Sequence, residues 1–348
     1  MKKLLTLGLG GAALVAASGA YANVTLYGAA DMFFESADNG KATVNRLSSG
    51  GSTVSRWGIR GSEDLGGGLK AQFQLESGIF LDDGTTTSTD KLFTRWAFVG
   101  LTGSWGAIDL GRMWSPTFVV GLQSDVLARN RTSLVTNMFR SQTSATATVA
   151  TPGFQDNSIR YTSPKFKGAF AQVAVSPGES VNGSRYGTSS GFNLQYANGP
   201  AYLGYGYQRT DSTTDSAATG KPTTAFTQFL GATYKVRSVT LYGTLNLNTA
   251  NAARVPRSTN SQVSARWAID GPHSVLLQLA RRHVSGSTNS SFGWQAGYDY
   301  SLSKNTTIYA RYAKVNNRDL SAITLNGVAL NATGDDPSFA GLGLSHRF

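Results

Sequence analysis

From Val24 to the C-terminal Phe348 the side chains alternate between apolar and polar with period two. That rhythm belongs to a strand with two unlike faces; in a helix the apolar residues return every three or four positions. In the first stretch Val24, Leu26, Gly28, Ala30, Met32 and Phe34 share one face, opposite Thr25, Tyr27, Ala29, Asp31, Phe33 and Glu35. Trp57 and Ile59 oppose Arg56 and Arg60, and Leu69, Ala71, Phe73 and Leu75 oppose Lys70, Gln72, Gln74 and Glu76. Trp96 and Phe98 oppose Arg95, and Ile159 and Tyr161 oppose Arg160. Later, Val263, Trp267 and Ile269 oppose Gln262, Ser264 and Arg266, and Leu342 and Leu344 oppose Gly343, Ser345 and Arg347. Sixteen such segments can be counted along the chain.

Two kinds of connection alternate between them. Asp64–Gly68, Thr102–Trp105, Pro164–Gly168, Asn198–Pro200, Lys235–Arg237, Asp270–Pro272 and Ser301–Lys304 are short and rich in turn-forming residues. Ala37–Ser52, Leu81–Asp90, Thr210–Pro222 and Asn316–Asp336 are long and polar, and are expected to be loops. A soluble sandwich also alternates, but it packs its apolar faces over one core and needs far fewer strands. Sixteen consecutive up-and-down strands cannot curl around a filled interior, because a cylinder of that size encloses water. The polar faces must therefore line a lumen while the apolar faces meet lipid. Closure also pairs every backbone N–H and C=O, which a hydrocarbon surround demands. The expected architecture is all-β: a 16-stranded antiparallel transmembrane β-barrel. Tyr27, Trp57, Trp96, Trp105, Trp114, Trp267, Trp294 and Tyr312, near segment ends, are expected to form girdles at the membrane–water interfaces.

The N-terminus sets the compartment. Lys2 and Lys3 precede an apolar run from Leu4 to about Ala17, closed by small residues and the triplet Ala20-Tyr21-Ala22. This is the layout of a secretory signal peptide, residues 1–22, leaving 23–348 as the barrel. No other stretch has the ~18 consecutive apolar residues of a spanning helix. The chain has 0 cysteines, which removes disulfides, thiolate metal sites and a cysteine nucleophile. Its net charge is +11, to which Lys2 and Lys3 contribute two. A nucleic-acid binder would cluster such charge; here Arg281-Arg282 is the only adjacent basic pair after the leader. No nucleic-acid partner is expected.

Catalytic signals are weak. Gly187-Thr-Ser-Ser-Gly191 matches G-x-S-x-G, but the nucleophile elbow needs a strand-to-helix turn, and this stretch lies in a loop before an alternating strand. His273 and His283 flank one predicted strand, His346 lies near the terminus, and no metal-ligand spacing is present. No catalytic residue, cofactor or metal site is expected.

Several stretches resemble the general porins of β-proteobacteria: Val24-Thr-Leu-Tyr-Gly28, Ser55 to Ala71, Gly106-Ala-Ile-Asp-Leu-Gly-Arg112, Asn157-Ser-Ile-Arg-Tyr-Thr-Ser-Pro164 and the terminal Gly341 to Phe348. The resemblance implies a homotrimer of 16-stranded barrels in the outer membrane, surrounded by lipid and lipopolysaccharide and passing small ions and solutes. It implies that a long third loop folds into the lumen as a constriction (residues 114–155), and that Phe348 is the assembly signal read by the barrel-insertion machinery. The long loop is visible without the family: Trp114 to Gln155 is 42 residues with weak alternation, and ordered loops of that length are usually functional.

A pore selects by diameter and by the sign of charge at its narrowest point. The long loop carries Arg129, Arg131 and Arg140 against one acid, Asp125. Arg56 and Arg95 match the family's basic wall, and Arg60 and Arg160 share their inward parity. The family's arginine before the sixth strand is missing, with Phe154 at the nearest position. Arg112 is ambiguous, since strict parity sets it beside Leu110 on the lipid side. Together these residues suggest a pore that prefers anions. A substrate-specific channel, an adhesin acting through its loops, an outer-membrane enzyme and a soluble β-lectin are the other readings.

Overall fold

The structure, a computed structural model, describes residues 23–139, 142–144, 147–149, 153–179, 186–215, 222–251 and 255–348. The proposed leader, residues 1–22, and Arg140 lie outside these. The chain opens with β1 (Asn23–Asp38), β2 (Thr43–Ser49), β3 (Arg56–Gly66), β4 (Leu69–Gly78), β5 (Trp96–Gly103) and β6 (Gly106–Trp114). Two short helices, α1 (Pro116–Gln123) and α2 (Leu134–Met138), are followed by a small hairpin of β7 (Gln142–Ser144) and β8 (Ala147–Val149). Then come β9 (Phe154–Thr162), β10 (Ala169–Ser176), β11 (Ser189–Asn198), β12 (Ala201–Asp215), β13 (Pro222–Val236) and β14 (Val239–Ala250). The chain ends with β15 (Ser258–Asp270), β16 (His273–Val284), β17 (Ser290–Ser301), β18 (Thr306–Arg318) and β19 (Ser338–Arg347).

Apart from β7 and β8, every strand pairs antiparallel with its neighbours, β6 joins β9 across the long insertion, and β1 closes the sheet on β19. β2 and β3 share one strand position: the first half of β1 pairs with β3 and the second half with β2. The result is a closed barrel of sixteen strand positions. The break between β2 and β3 is organised by Asp31, which accepts the backbone N–H groups of Gly51 (2.8 Å), Ser52 (3.0 Å) and Thr53 (2.8 Å) and the Tyr309 hydroxyl (2.5 Å).

The alternation reads out as expected on most strands. Val24, Leu26, Ile159, Leu194, Leu241, Val263 and Leu342 are exposed on the outer face, while Asp31, Glu35, Asn193, Gln208, Asn246 and Gln278 are buried on the inner one. On β5 the parity is the reverse of that expected. Val99 and Leu101 point outward, and the inward-facing Glu76 pairs in register with Trp96, so Trp96 and Phe98 face the interior. Aromatic rings suit either face, and here the aliphatic pair decides. Trp96 is therefore an interior residue rather than a girdle residue, and so are Trp114 and Tyr27, which line the same internal space. Arg112 keeps the parity of Leu110, in register with Ala97, because the extra residue at the bulge lies on β9. Its guanidinium pairs with Asp156 and donates to the Thr94 carbonyl at 2.8 and 3.0 Å.

Two expected loops are partly strand. Thr43–Ser49 within Ala37–Ser52, and the first part of Thr210–Pro222, extend the sheet. Polar Ser/Thr/Asn composition hides them, and in Thr43–Ser49 the two aliphatic residues, Val44 and Leu47, lie three apart and leave no period-two stripe. The interior is also less uniformly polar than expected. Phe33, Leu134, Val135, Met138, Phe139, Phe229, Tyr309, Leu325 and Phe339 form one buried apolar cluster, built from α2, the inner faces of several strands and the β18–β19 connection.

The seam is closed by the last residue. Phe348 donates its N–H to the Gly28 carbonyl at 3.2 Å and accepts the Gly28 N–H at 2.9 Å. A side chain at Gly28 would collide with the Phe348 ring and the Arg56 carbonyl. Gly28→Val is therefore expected to cost about 1–3 kcal/mol by overpacking, read as a lower urea midpoint. Gly243→Val, whose added atom would meet nothing within 4 Å, serves as the control. Equal midpoints for the two variants would mean that Phe348 does not hold the seam.

Candidate pore-lining site

Helix α1 starts where Ser115 caps it, accepting the Phe118 N–H at 3.3 Å, with Pro116 in the first turn. The helix lies against the polar face of β11–β14. Asn193 donates to the Pro116 carbonyl at 3.0 Å, Thr117 donates to Gln208 at 2.8 Å, and Thr244 donates to the Ser124 carbonyl at 3.0 Å. Gly206 permits the approach, since a Cβ there would press on Thr117 and Val120.

Beyond α1 the chain turns around Asp125. Its carboxylate accepts the N–H groups of Arg129 (2.7 Å) and Leu127 (3.2 Å), the Ser133 hydroxyl (2.5 Å) and the Gln278 amide (2.7 Å). Burial pushes the Asp125 carboxyl up, and the Ser133 hydroxyl leads the hydrogen bonds that pull it back. Gln278 in turn accepts the Leu134 N–H at 3.0 Å, fixing α2 to β16. Asn130 reaches the β2–β3 break, donating to the carbonyls of Gly51 (3.0 Å) and Ser52 (2.9 Å). The segment is thus tied to strands on several sides of the barrel.

Between this segment and the wall lies a cavity of about 810 Å³, lined by Arg56, Arg60, Arg95, Arg266 and Arg347, with Glu76 and Asp299 as its carboxylates among the described residues. Each acid is shared by two arginines. Glu76 pairs with Arg95 (2.5 Å) and Arg56 (3.5 Å), and Asp299 pairs with Arg266 and with Arg311 (2.5 Å). Arg60 lies over the Tyr27 ring, 5.1 Å from its centroid. Tyr27, Trp96 and Trp114 line the same space, with Leu122, Val126 and Leu127 from the inserted segment.

Of the residues singled out from sequence, Arg56, Arg60 and Arg95 come together here. Arg129 and Arg131 border a second, smaller cavity of about 390 Å³. The Arg129 guanidinium lies 4.4 Å from the Phe118 ring centroid, and Arg131 donates to the Asn326 carbonyl at 3.2 Å. Arg160 is buried in an ion pair with Asp109 at 2.8 Å. Asp125 is the hub of the turn, 3% exposed, and not an open charge. Sequence reasoning does not single out Arg266 and Arg347 for the pore, although both carry inward parity. Their one signal is the alternation itself, but a lone arginine on a polar face is common and nothing local marks it. Phe154, where the family's arginine is missing, has the guanidinium groups of Arg95 and Arg112 at 5.4 and 5.2 Å from its ring. Gly187-Thr-Ser-Ser-Gly191 runs from a turn into β11, with no helix after it.

An apolar-surfaced closed barrel with a polar, arginine-rich interior is a membrane channel of the porin type. The chain belongs to the Gram-negative porin family, whose sequence profile matches residues 10–320. It is 30% identical to outer membrane porin protein 32 of Delftia acidovorans over 97% of this chain and 98% of that protein. It is 26% identical to an outer membrane porin protein of Bordetella pertussis, over 75% and 77% of the two chains. Among solved structures, an anion-selective porin from Comamonas acidovorans superposes with a TM-score of 0.83 at 26% identity, covering 94% of this chain and 100% of that one. The protein is an outer-membrane porin.

The hub generates a test. Asp125→Ala leaves the Gln278 amide, the Ser133 hydroxyl and two backbone N–H groups without their acceptor, at about 1–3 kcal/mol for each group left unsatisfied. The expected result is an intact barrel with faster amide exchange at residues 125–134 and noisier open-channel current. Unchanged exchange there would show that the turn holds without Asp125.

Proposed function

We propose that this porin is an anion-preferring diffusion channel whose selectivity is set in the cavity between the wall and the segment 114–155, the segment acting as the constriction. The observation that carries the reading is the count of five arginines against two carboxylates around one space. Low-dielectric walls focus the field of such an excess onto the solute path. Arg56, Arg60 and Arg95 supply this field together with Arg266 and Arg347, and Arg129 and Arg131 add to the basic surroundings. Arg160 is held by Asp109, and Asp125 shapes the segment; Arg140, expected in the same segment, lies outside the described residues. The anion-selective porin from Comamonas acidovorans, similar over the whole barrel, supports the same reading.

The working unit in this proposal is a homotrimer embedded in outer-membrane lipid and lipopolysaccharide. A Vibrio cholerae outer-membrane protein of the same fold is known in a trimer form. The exposed Phe348 ring at the seam stands where insertion machinery could read it.

The test is recording in planar bilayers. The unmodified protein is expected to insert in three equal, ohmic current steps. Arg60→Glu and Arg347→Glu, each placing an acid in the cavity, are expected to lower the chloride-to-potassium permeability ratio about fivefold, as for a charge term of about 1 kcal/mol near 4 Å in water. Ratios equal to that of the unmodified protein would remove the cavity as the selectivity site. Flux that saturates for one solute, instead of rising linearly, would favour a substrate-specific channel.

A further inference from the structure

The arginine cavity has a second chemistry built into it. Trp96 and Trp114 both line it, with ring centroids 4.7 Å apart, and Trp114 continues to Phe118 at 5.8 Å. Leu122 and Val126 supply apolar lining from the inserted segment. A filter for small inorganic anions gains nothing from such surfaces, since a bare ion loses hydration beside them. An anion with an apolar, planar body gains on both counts.

The arginines have donors to spare for it. Arg95 gives its Nε–H to Glu76 at 2.5 Å, and among the described residues its two terminal nitrogens meet no acceptor. A guanidinium has five N–H donors in a fork matched to a carboxylate. Arg56, which shares Glu76, borders the same space. The volume, about 810 Å³, is within the range of small-molecule sites.

We propose that this cavity is a binding site for planar aromatic carboxylates. The carboxylate meets Arg95 and Arg56, and the ring lies against Trp114 and the Leu122–Val126 surface. The site deepens the anion-preferring channel proposed above and rests on it. Aromatic monoacids would then cross by a saturable, faster route than aliphatic acids of equal charge.

The experiment measures, in planar bilayers, the concentration of benzoate, cyclohexanecarboxylate or acetate that halves the chloride current through the unmodified protein. Benzoate is expected to act at about one-tenth the concentration of cyclohexanecarboxylate, a factor equivalent to about 1.4 kcal/mol and of the order of one aromatic pair. Trp114→Leu is expected to bring benzoate up to the cyclohexanecarboxylate value. Equal half-blocking concentrations for the two acids in the unmodified protein overturn the proposal, whether or not the variant folds. The zero-current potential in the same membranes separates the two readings. Chloride preference without benzoate discrimination removes the aromatic site alone, and potassium preference removes the anion channel and the site together.

Discussion

Backbone hydrogen bonding in a medium without water is the constraint on which the rest depends. A spanning strand whose N–H and C=O groups go unpaired costs several kcal/mol at each of them, so the sheet has to meet itself. The meeting of β1 and β19 is completed by the reciprocal Gly28–Phe348 pair. Once the sheet is closed, period two does the rest. One face is given to lipid and takes Val, Leu, Ile and Tyr, while the other faces inward and takes Asn, Gln, Ser and charge.

That inner face would leave a wide opening if nothing crossed it. The segment after β6 is hydrogen-bonded to inward-facing side chains, and it is held by these bonds rather than by apolar area alone. Gln208, Asn193 and Thr244 hold α1, Gln278 holds both Asp125 and α2, and the backbone of Gly51 and Ser52 holds Asn130. The apolar cluster around Leu134, Met138, Tyr309 and Leu325 adds a dry patch under α2. Together with the strands, this segment lines the space that five arginines and two carboxylates share among the described residues. The acids are each divided between two arginines, so they orient the guanidinium groups without cancelling them.

The barrel was legible in the sequence because its cause, alternation over the whole chain, is local and repeated. The short turns were legible for the same reason, and so was the inward parity of Arg56, Arg60 and Arg160. Where the rhythm is carried by residues that suit either environment, it misleads. Trp96 and Phe98 read as lipid-facing until Val99 and Leu101 fix the parity of β5. Thr43–Ser49 reads as loop because its two aliphatic residues, Val44 and Leu47, lie three apart on opposite faces and leave no period-two stripe. The site was half legible. Its members on β3 and before β5 stand out through resemblance and parity, whereas Arg266 and Arg347 enter only because closure brings β15 and β19 around to the same space. The role of Asp125 was hidden for a related reason: its partner Gln278 lies 153 residues away.

The sign of the zero-current potential across a bilayer containing the unmodified protein, with concentrated and dilute potassium chloride on its two sides, tests the central claim most directly. Five arginines against two carboxylates predict the sign set by chloride as the more permeant ion. A potential of the opposite sign would contradict the account, because the cavity's charge would then not be the charge that the permeating ions meet.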